Sequence, residues 1–461
     1  MPEEYYPSET LDSLWEENLR NGMWPQSILV WYVAFWLALL LIRPWELLMP
    51  SLGTYHVERC YAILGIIMVL GSGKLRFCPS FQTTSVILYL SALTLSAVCA
   101  FDFSLAWDAL YVYITLVIFY FVLLSSIRTP YELLFIVTCF VVAMAAYLSK
   151  AEFEYFVYDN HGWSQEVAHL EGIENTYGHY NAVAASTVLS FPFTLFLWQV
   201  RKPFTQQWPK FWQRMFVAGL ISYFAIAFAA IALTNSRSGM LAAAFFVVLS
   251  ALTASSFKFE RIMAMIPLAL IMLAVLWVVM PEASKGRLRT VWNPEAGPKN
   301  AYISAQGRVL GFEAGMEMFK RYPLTGVGIG NFIPYRVENL DGIPLIAHNT
   351  VGGVFGETGL VGGIAFALMC FGVFANCHAV KRTAKMCPHP LVQVLGKLAV
   401  ACRNTVILFL FSGLFGDNQQ RFHLLWALAF CLMAKMMADK YSRAEEVVYT
   451  DDTEWNQTAF A

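Results

Sequence analysis

Charge is scarce in this chain. Asp, Glu, Lys and Arg make up 14% of its 461 residues, against about a quarter in a soluble domain, so the polar surface a water-soluble globule requires is missing. The formal net charge of −1 leaves no basic excess, and no nucleic-acid partner is expected. The nine cysteines form no C-x-x-C pair and no Cys/His zinc spacing, which excludes a disulfide framework and a zinc module; they read as small buried hydrophobes. Aspartates and histidines do not cluster at metal-ligand spacing, so neither a metal nor a cofactor is expected. Residues 1–26 lack a basic stretch ahead of an apolar core, which argues against a cleaved signal peptide. The two halves show none of the internal symmetry common in transporters.

What the chain has is apolar length. Hydrophobic residues make up 58%, and they recur in runs near the roughly 20 residues needed to cross about 30 Å of hydrocarbon. Runs at 27–47, 57–72, 82–100, 105–126, 131–149, 179–199, 215–234, 238–256, 261–280, 346–377, 394–415 and 421–438 predict an all-α polytopic membrane protein, a bundle of about 12 transmembrane helices with one larger periplasmic loop containing short amphipathic helices. The corresponding organisation is a cytoplasmic or interfacial segment at 1–26, helices 1–9 over 27–280, the loop at 281–345, helices 10–12 over 346–438 and a cytoplasmic tail at 439–461. Tyr5, Tyr6, Trp15 and Trp24 suit the first segment to a membrane interface.

Basic residues set the orientation. Lys74 and Arg76; Arg128; Arg201, Lys202, Lys210 and Arg214; Lys258 and Arg261; and Lys381, Arg382 and Lys385 all fall in alternate loops. The tail adds Lys440 and Arg443, so both termini are expected inside. The external segment 281–345 is also basic, carrying Arg308, Lys320, Arg321 and Arg336 among others. It is long enough to escape the orientation rule. Its charges serve either a solvated face or an anionic ligand at the outer surface.

Four polar stretches stand where a membrane makes polarity expensive. Thr234-Asn235-Ser236-Arg237-Ser238-Gly239 is a tight external turn, whose arginine either reaches to headgroups or holds a guanidinium fork for phosphate oxygens. Gly307-Arg308 opens an amphipathic surface helix ended by Pro323, followed by Leu324-Thr325-Gly326-Val327-Gly328-Ile329-Gly330-Asn331-Phe332. That glycine run lacks the strand–turn–helix context of a nucleotide loop and lets the backbone turn and pack instead. Ala347-His348-Asn349-Thr350 opens a helix continuing through Gly356-Glu357-Thr358-Gly359. His348 is either a satisfied polar residue or a base with an ordinary pKa near 6.5. Gly416-Asp417-Asn418-Gln419-Gln420-Arg421 is either a plain polar turn or places an aspartate to orient a histidine or arginine.

Taken in order, these stretches resemble the O-antigen ligase and polymerase superfamily of bacterial membrane glycosyltransferases over residues 175–435. The likeness lies in Gly178-x-x-Asn181-Ala182, Ser236-Arg237-x-Gly239, Arg308, Tyr322 to Gly328 with Asn331-Phe332, and His348-Asn349 followed by Gly356-Glu357-Thr358-Gly359-Leu360-Val361-Gly362. The resemblance implies a polyprenyl (undecaprenyl) pyrophosphate-linked glycan donor and transfer at the periplasmic face of the inner membrane. The acceptor would be lipid A core, a protein or another glycan, with membrane lipids around the site. His348 matches the family's proposed general base, Arg237 and Arg308 its essential arginines, and Asp417 a late acidic residue; Asn349 and Arg321 are further supporting candidates. A base is needed because a sugar hydroxyl is a poor nucleophile. Two guanidiniums are able to offset the leaving pyrophosphate, so metal-independent, inverting transfer is expected. A ligase moving a finished glycan, a polymerase joining repeat units, and a lipid-linked glycan transporter or flippase remain as alternatives.

Overall fold

The computed structural model describes residues 24–44, 57–164, 167–173, 177–253, 285, 299–416 and 422–458. Its helices are α1 (Ile28–Ile42), α2 (Val57–Gly71), α3 (Phe81–Val98), α4 (Phe103–Ser126), α5 (Pro130–Val157), α6 (Tyr180–Thr205), α7 (Lys210–Leu233), α8 (Arg237–Thr253), α9 (Lys299–Arg321), α10 (Phe332–Asn339), α11 (Thr350–Met386), α12 (Pro390–Gly413) and α13 (Phe422–Thr458). Between α5 and α6 stands one antiparallel hairpin, β1 (Gly162–Ser164) and β2 (Val167–His169), pairing Gly162 with His169 and Trp163 with Ala168. The hairpin was not anticipated.

The protein is a multi-pass helical membrane protein, but the described residues do not provide the expected bundle of about 12 spans. Seven described helices (α3, α4, α5, α6, α7, α11 and α12) are long and apolar enough to cross a bilayer. α1, α2 and α8 are apolar but shorter. At 1.5 Å per residue, the 15 residues of α1 cover about 22 Å, short of a 30 Å core. α1 stops because Arg43 turns left-handed (φ 44°) ahead of Pro44. The run at 421–438 forms the start of the 37-residue α13. The run at 261–280, most of the N-terminal segment and residues 286–298 of the external loop lie outside the described residues.

Sequence chemistry sets the helix ends. Thr129, Pro130 and Glu132 form a complete capping box at the start of α5, and Asp102 accepts from the Ser104 and Leu105 amides at the start of α4. α13 is the central pillar: every residue from Leu424 to Ala434 is buried, as a helix apolar on all sides must be. α3 runs antiparallel to α11, with Ser96 Oγ donating to the Glu357 carbonyl at 2.7 Å and Gln82 Nε2 to the Met369 carbonyl at 3.1 Å.

α11 is interrupted at Gly359 (φ 61°, ψ −159°). In an unbroken helix the Leu360 and Val361 amides would donate to the Gly356 and Glu357 carbonyls. Instead they donate to Pro323 O (2.8 Å) and Leu324 O (3.2 Å), while Gly356 O and Glu357 O accept from the Val327 and Gly328 amides, both at 3.0 Å. The connection from α9 to α10 thus enters the helix ladder and takes over four of its backbone groups. Such exchange keeps irregular backbone satisfied at membrane depth. Gly326 (φ 69°) and Gly359 make it sterically feasible: a Cβ on the first would collide with the Glu357 backbone, one on the second with that of Leu324.

The break also bends α11. Phe366 meets Phe409 of α12 (ring centroids 6.3 Å apart), and Asn349 Nδ2 donates to Leu414 O at 3.2 Å. Phe366 to Asn349 is about 25 Å of straight helix, whereas Phe409 to Leu414 is about 8 Å. The limb before Gly359 therefore turns across the bundle end. With α9 and α10 it forms a layer over that end. The periplasmic loop was expected to hold short amphipathic helices; α10 fits at 8 residues, while α9 is a 23-residue helix.

Candidate functional site

The site is built around the start of α11. His348 takes a left-handed backbone conformation (φ 50°), uncommon outside glycine but tolerated by histidine. Asn349 then caps the helix, its Oδ1 accepting from the Val351 amide (2.9 Å) and the Gly352 amide (3.1 Å). Asn349 Nδ2 holds Leu414 O, and Thr350 Oγ1 donates to Gly416 O at 3.1 Å, which docks the α12–α13 turn beside His348. Asp417, the next residue, lies outside the described residues.

A buried arginine fixes the approach to His348. Arg336 on α10 is 1% exposed and grips Asp341 through both ends of its fork, Nε to Oδ1 at 2.8 Å and Nη2 to Oδ2 at 2.7 Å. Its Nη1 also donates to Leu345 O at 3.1 Å. Arg336 holds the Asp341 carboxyl below the usual carboxylate range. A buried guanidinium is tolerable only when its donors are satisfied like this. The ion pair and the Leu345 bond together clamp 341–347.

Arg308 comes to His348 through glycine packing. A Cβ on Gly311 would collide with Ala347 O, and one on Gly315 with Gly352 O. The α9 backbone therefore lies directly against residues 347–356. Arg308 sits one turn before Gly311 on the same face, which carries it to the His348 end. Arg321 is 13 residues further along α9, about 20 Å away. There it binds Glu317 Oε1 and Asn339 O, both at 3.2 Å, and it does not join His348.

Arg237 is held by a separate set of bonds. Ser236 Oγ donates to Asn181 Oδ1 at 2.6 Å and accepts from the Gly239 amide at 3.2 Å. Asn235 (φ 49°) donates from Nδ2 to Ala168 O at 2.8 Å, and His169 Nδ1 lies 2.8 Å from Thr234 O. The hairpin and the start of α6 thus brace the turn, and Arg237 emerges as the first residue of α8.

Electrostatics tie these parts together. His348 is pushed down from 6.5 to about 4, first by burial, then by Arg308, His179 and Arg336. At neutral pH it is an uncharged imidazole beside fixed positive charge. Arg308 and His348 are thus brought together. Arg237 is linked to them through the Ser236–Asn181 bond and His179, two residues before Asn181. Two residues at the site were not singled out from sequence. Arg336 was one basic residue among many in the loop, and its partner Asp341 is not at helical spacing. His179 sits inside Gly178-x-x-Asn181, where a capping side chain ahead of an apolar run was the available signal.

Residues 222–367, from α7 into α11, match the family model for O-antigen ligase. The matched stretch contains Arg237, Arg308, Arg336 and His348. No curated protein matches the chain. The family match covers 146 of the 461 residues and supports a place for that stretch in the O-antigen ligase superfamily.

Proposed function

We propose that the protein is a ligase-type glycosyltransferase, moving a glycan from a polyprenyl pyrophosphate carrier to an acceptor hydroxyl on the periplasmic side of the inner membrane. The observation that carries this reading is a neutral imidazole, His348, lowered to about 4 beside Arg308 on a loop pinned by a buried ion pair. The bundle end holding 158–164, 177–180, 234–236 and 414–416 is opposite the end holding Lys74, Arg76, Arg128 and Lys202. By the charge rule that second end is cytoplasmic, as are both termini.

In this reading the lipid pyrophosphate lies between Arg237 and Arg308. The acceptor oxygen attacks the anomeric carbon from the side opposite the pyrophosphate, while His348 takes its proton. The carbon–oxygen bond to phosphate breaks, and the electron pair leaves with the lipid pyrophosphate, stabilised by the two guanidiniums. The configuration inverts. A bound pyrophosphate offsets the same positive charge that depresses His348, so donor binding raises the basicity of the imidazole as it is needed.

The test uses purified protein with a polyprenyl-pyrophosphate glycan and an acceptor. His348→Ala is expected to abolish transfer while melting like the parent; full activity in that variant would end the assignment of the base. A deletion strain separates the acceptors: accumulation of long lipid-linked polymer is the ligase result, and accumulation of single repeats refutes it in favour of a polymerase.

A further inference from the structure

The external end of α5 carries a row of aromatic rings that the catalytic scheme does not use. At 1.5 Å per residue the 28 residues of α5 cover about 42 Å, so a 30 Å core entered at Pro130 ends near Lys150. The Lys150–Glu154 ion pair, at 2.8 Å, stands at that exit. Beyond it, rings meet one after another from the helix to the hairpin. Phe156 lies against Tyr155 (centroids 5.3 Å apart), Tyr155 against His161 (5.6 Å) and His161 against Trp163 of β1 (6.0 Å). Phe153 and Tyr158 form a second edge-to-face pair at 5.6 Å. The row is open to solvent: Phe156 is 69% and Trp163 70% exposed.

Charge decides what such a surface accepts. Residues 150–178 hold six carboxylates and one lysine. A surface that seats lipid phosphates carries Lys and Arg instead, and this one repels an anionic headgroup or a pyrophosphate. Between the rings, Asp159 and Asn160 are exposed, with Asp159 Oδ1 3.3 Å from His161 Nδ1. They offer hydrogen-bond acceptors, and the Asn160 amide a donor as well. Flat apolar faces interleaved with such groups suit a ligand with C–H bonds on its face and hydroxyls around its edge, which is the makeup of a sugar ring.

The row is also joined to the site. Trp163 lies opposite Ala168 in the hairpin register, and Ala168 O accepts from Asn235 Nδ2, two residues before Arg237. One strand pairing, one side-chain bond and two residues of chain keep Trp163 within about 20 Å of Arg237. A glycan that starts from a pyrophosphate at Arg237 meets the row within a few sugar units.

We propose that this row is a glycan-binding surface, on which the donor's sugar chain stacks while its pyrophosphate lies at Arg237. The inference rests on the glycosyl-transfer reading, and it adds a place for the sugar.

The probe is the carbohydrate released by mild acid from the producing strain's lipid carrier, free of lipid and pyrophosphate. Its binding to full-length protein in detergent is measured by calorimetry, with thermal melting in parallel. Phe156→Ala/Trp163→Ala removes two exposed rings; it should melt like the parent and bind the free chain about tenfold more weakly. Phe156→Tyr/Trp163→Tyr keeps both rings and should bind as the parent does. If the double alanine variant melts early, Trp163→Ala alone carries the test, with a loss of about threefold expected. In transfer assays the preference in kcat/KM for a long-chain donor over a single-repeat donor should fall with the loss of binding. A parent that does not bind the free chain, or alanine variants that bind it as tightly as the parent, overturn the proposal. Alanine variants that melt early in lipid nanodiscs while still binding the chain would show a headgroup anchor and overturn it too. A parent that binds the free chain but transfers nothing from a lipid-linked donor refutes the transfer reading instead.

Discussion

Arg308 should control the acidity of His348, and the size of that control is bounded by the structure. The imidazole falls from 6.5 to about 4; burial is the largest cause and Arg308 the next. The arginine therefore accounts for less than half of the fall. In Arg308→Gln the imidazole should move up toward its ordinary value. The direction of the rate effect follows from the protonation state. In the proposed scheme His348 acts as a base only when unprotonated, so activity should be present above its pKa and lost as pH falls through it. The acid limb of kcat/KM, which reports the free enzyme, should lie near pH 4 in the parent and rise in Arg308→Gln, by less than half of the way back to 6.5. Arg237 is not among the charges depressing His348, so Arg237→Gln should leave the limb in place while raising donor KM. Donor binding supplies a further check within the parent enzyme. Because pyrophosphate offsets the arginines, the acid limb of kcat should lie above that of kcat/KM. An acid limb that stays fixed in Arg308→Gln, or that moves equally in Arg237→Gln, would refute this account of the base.

Other expectations concern the scaffold. Asp341→Ala leaves a guanidinium that is 1% exposed without its carboxylate, and should cost on the order of 3 kcal/mol together with most of the activity; an unchanged chemical-denaturation midpoint would show that the clamp carries no energy. Gly326→Ala places a Cβ against the Glu357 backbone at φ 69°, which should cost more than about 1 kcal/mol. A melting temperature equal to the parent's would contradict the ladder exchange. Ser236→Ala removes the bond to Asn181 and should raise donor KM severalfold with little change in kcat. If kcat falls instead, the turn does more than present Arg237.

How much of this was legible in the sequence depended on the range over which each cause acts. Apolar runs and caps are local, so α3 and α4 appeared within two residues of their bounds, whereas α5 and α6 run 8 and 6 residues past the apolar runs that announced them and α7 starts 5 residues ahead of its own. Thr129 and Glu132 are three apart, and Asp102 is adjacent to the helix it caps. The span count of about 12 exceeded the described helices long enough to cross, and at α1 the shortfall is physical, a 15-residue helix ended at Arg43. His348 and Arg308 were visible as motif residues, but the force that joins them was not. Gly311 and Gly315 announce close packing without naming Ala347 and Gly352 as the surfaces packed against. Arg336 and His179 depend on partners that only the tertiary arrangement supplies, a carboxylate outside helical register and an imidazole some 170 residues away in sequence.

The exchange of hydrogen bonds at Gly359 decides where the site can open. Separating residues 323–328 from the broken helix would break four main-chain hydrogen bonds at once, so that seam behaves as a weld. At the far end of the same limb, Asn349 and Thr350 hold Leu414 and Gly416 through two side-chain bonds, of which the one from Asn349 is exposed to solvent. A bulky sugar chain entering or leaving would find its yielding edge there, on the His348 side, with the welded seam serving as the fixed pivot.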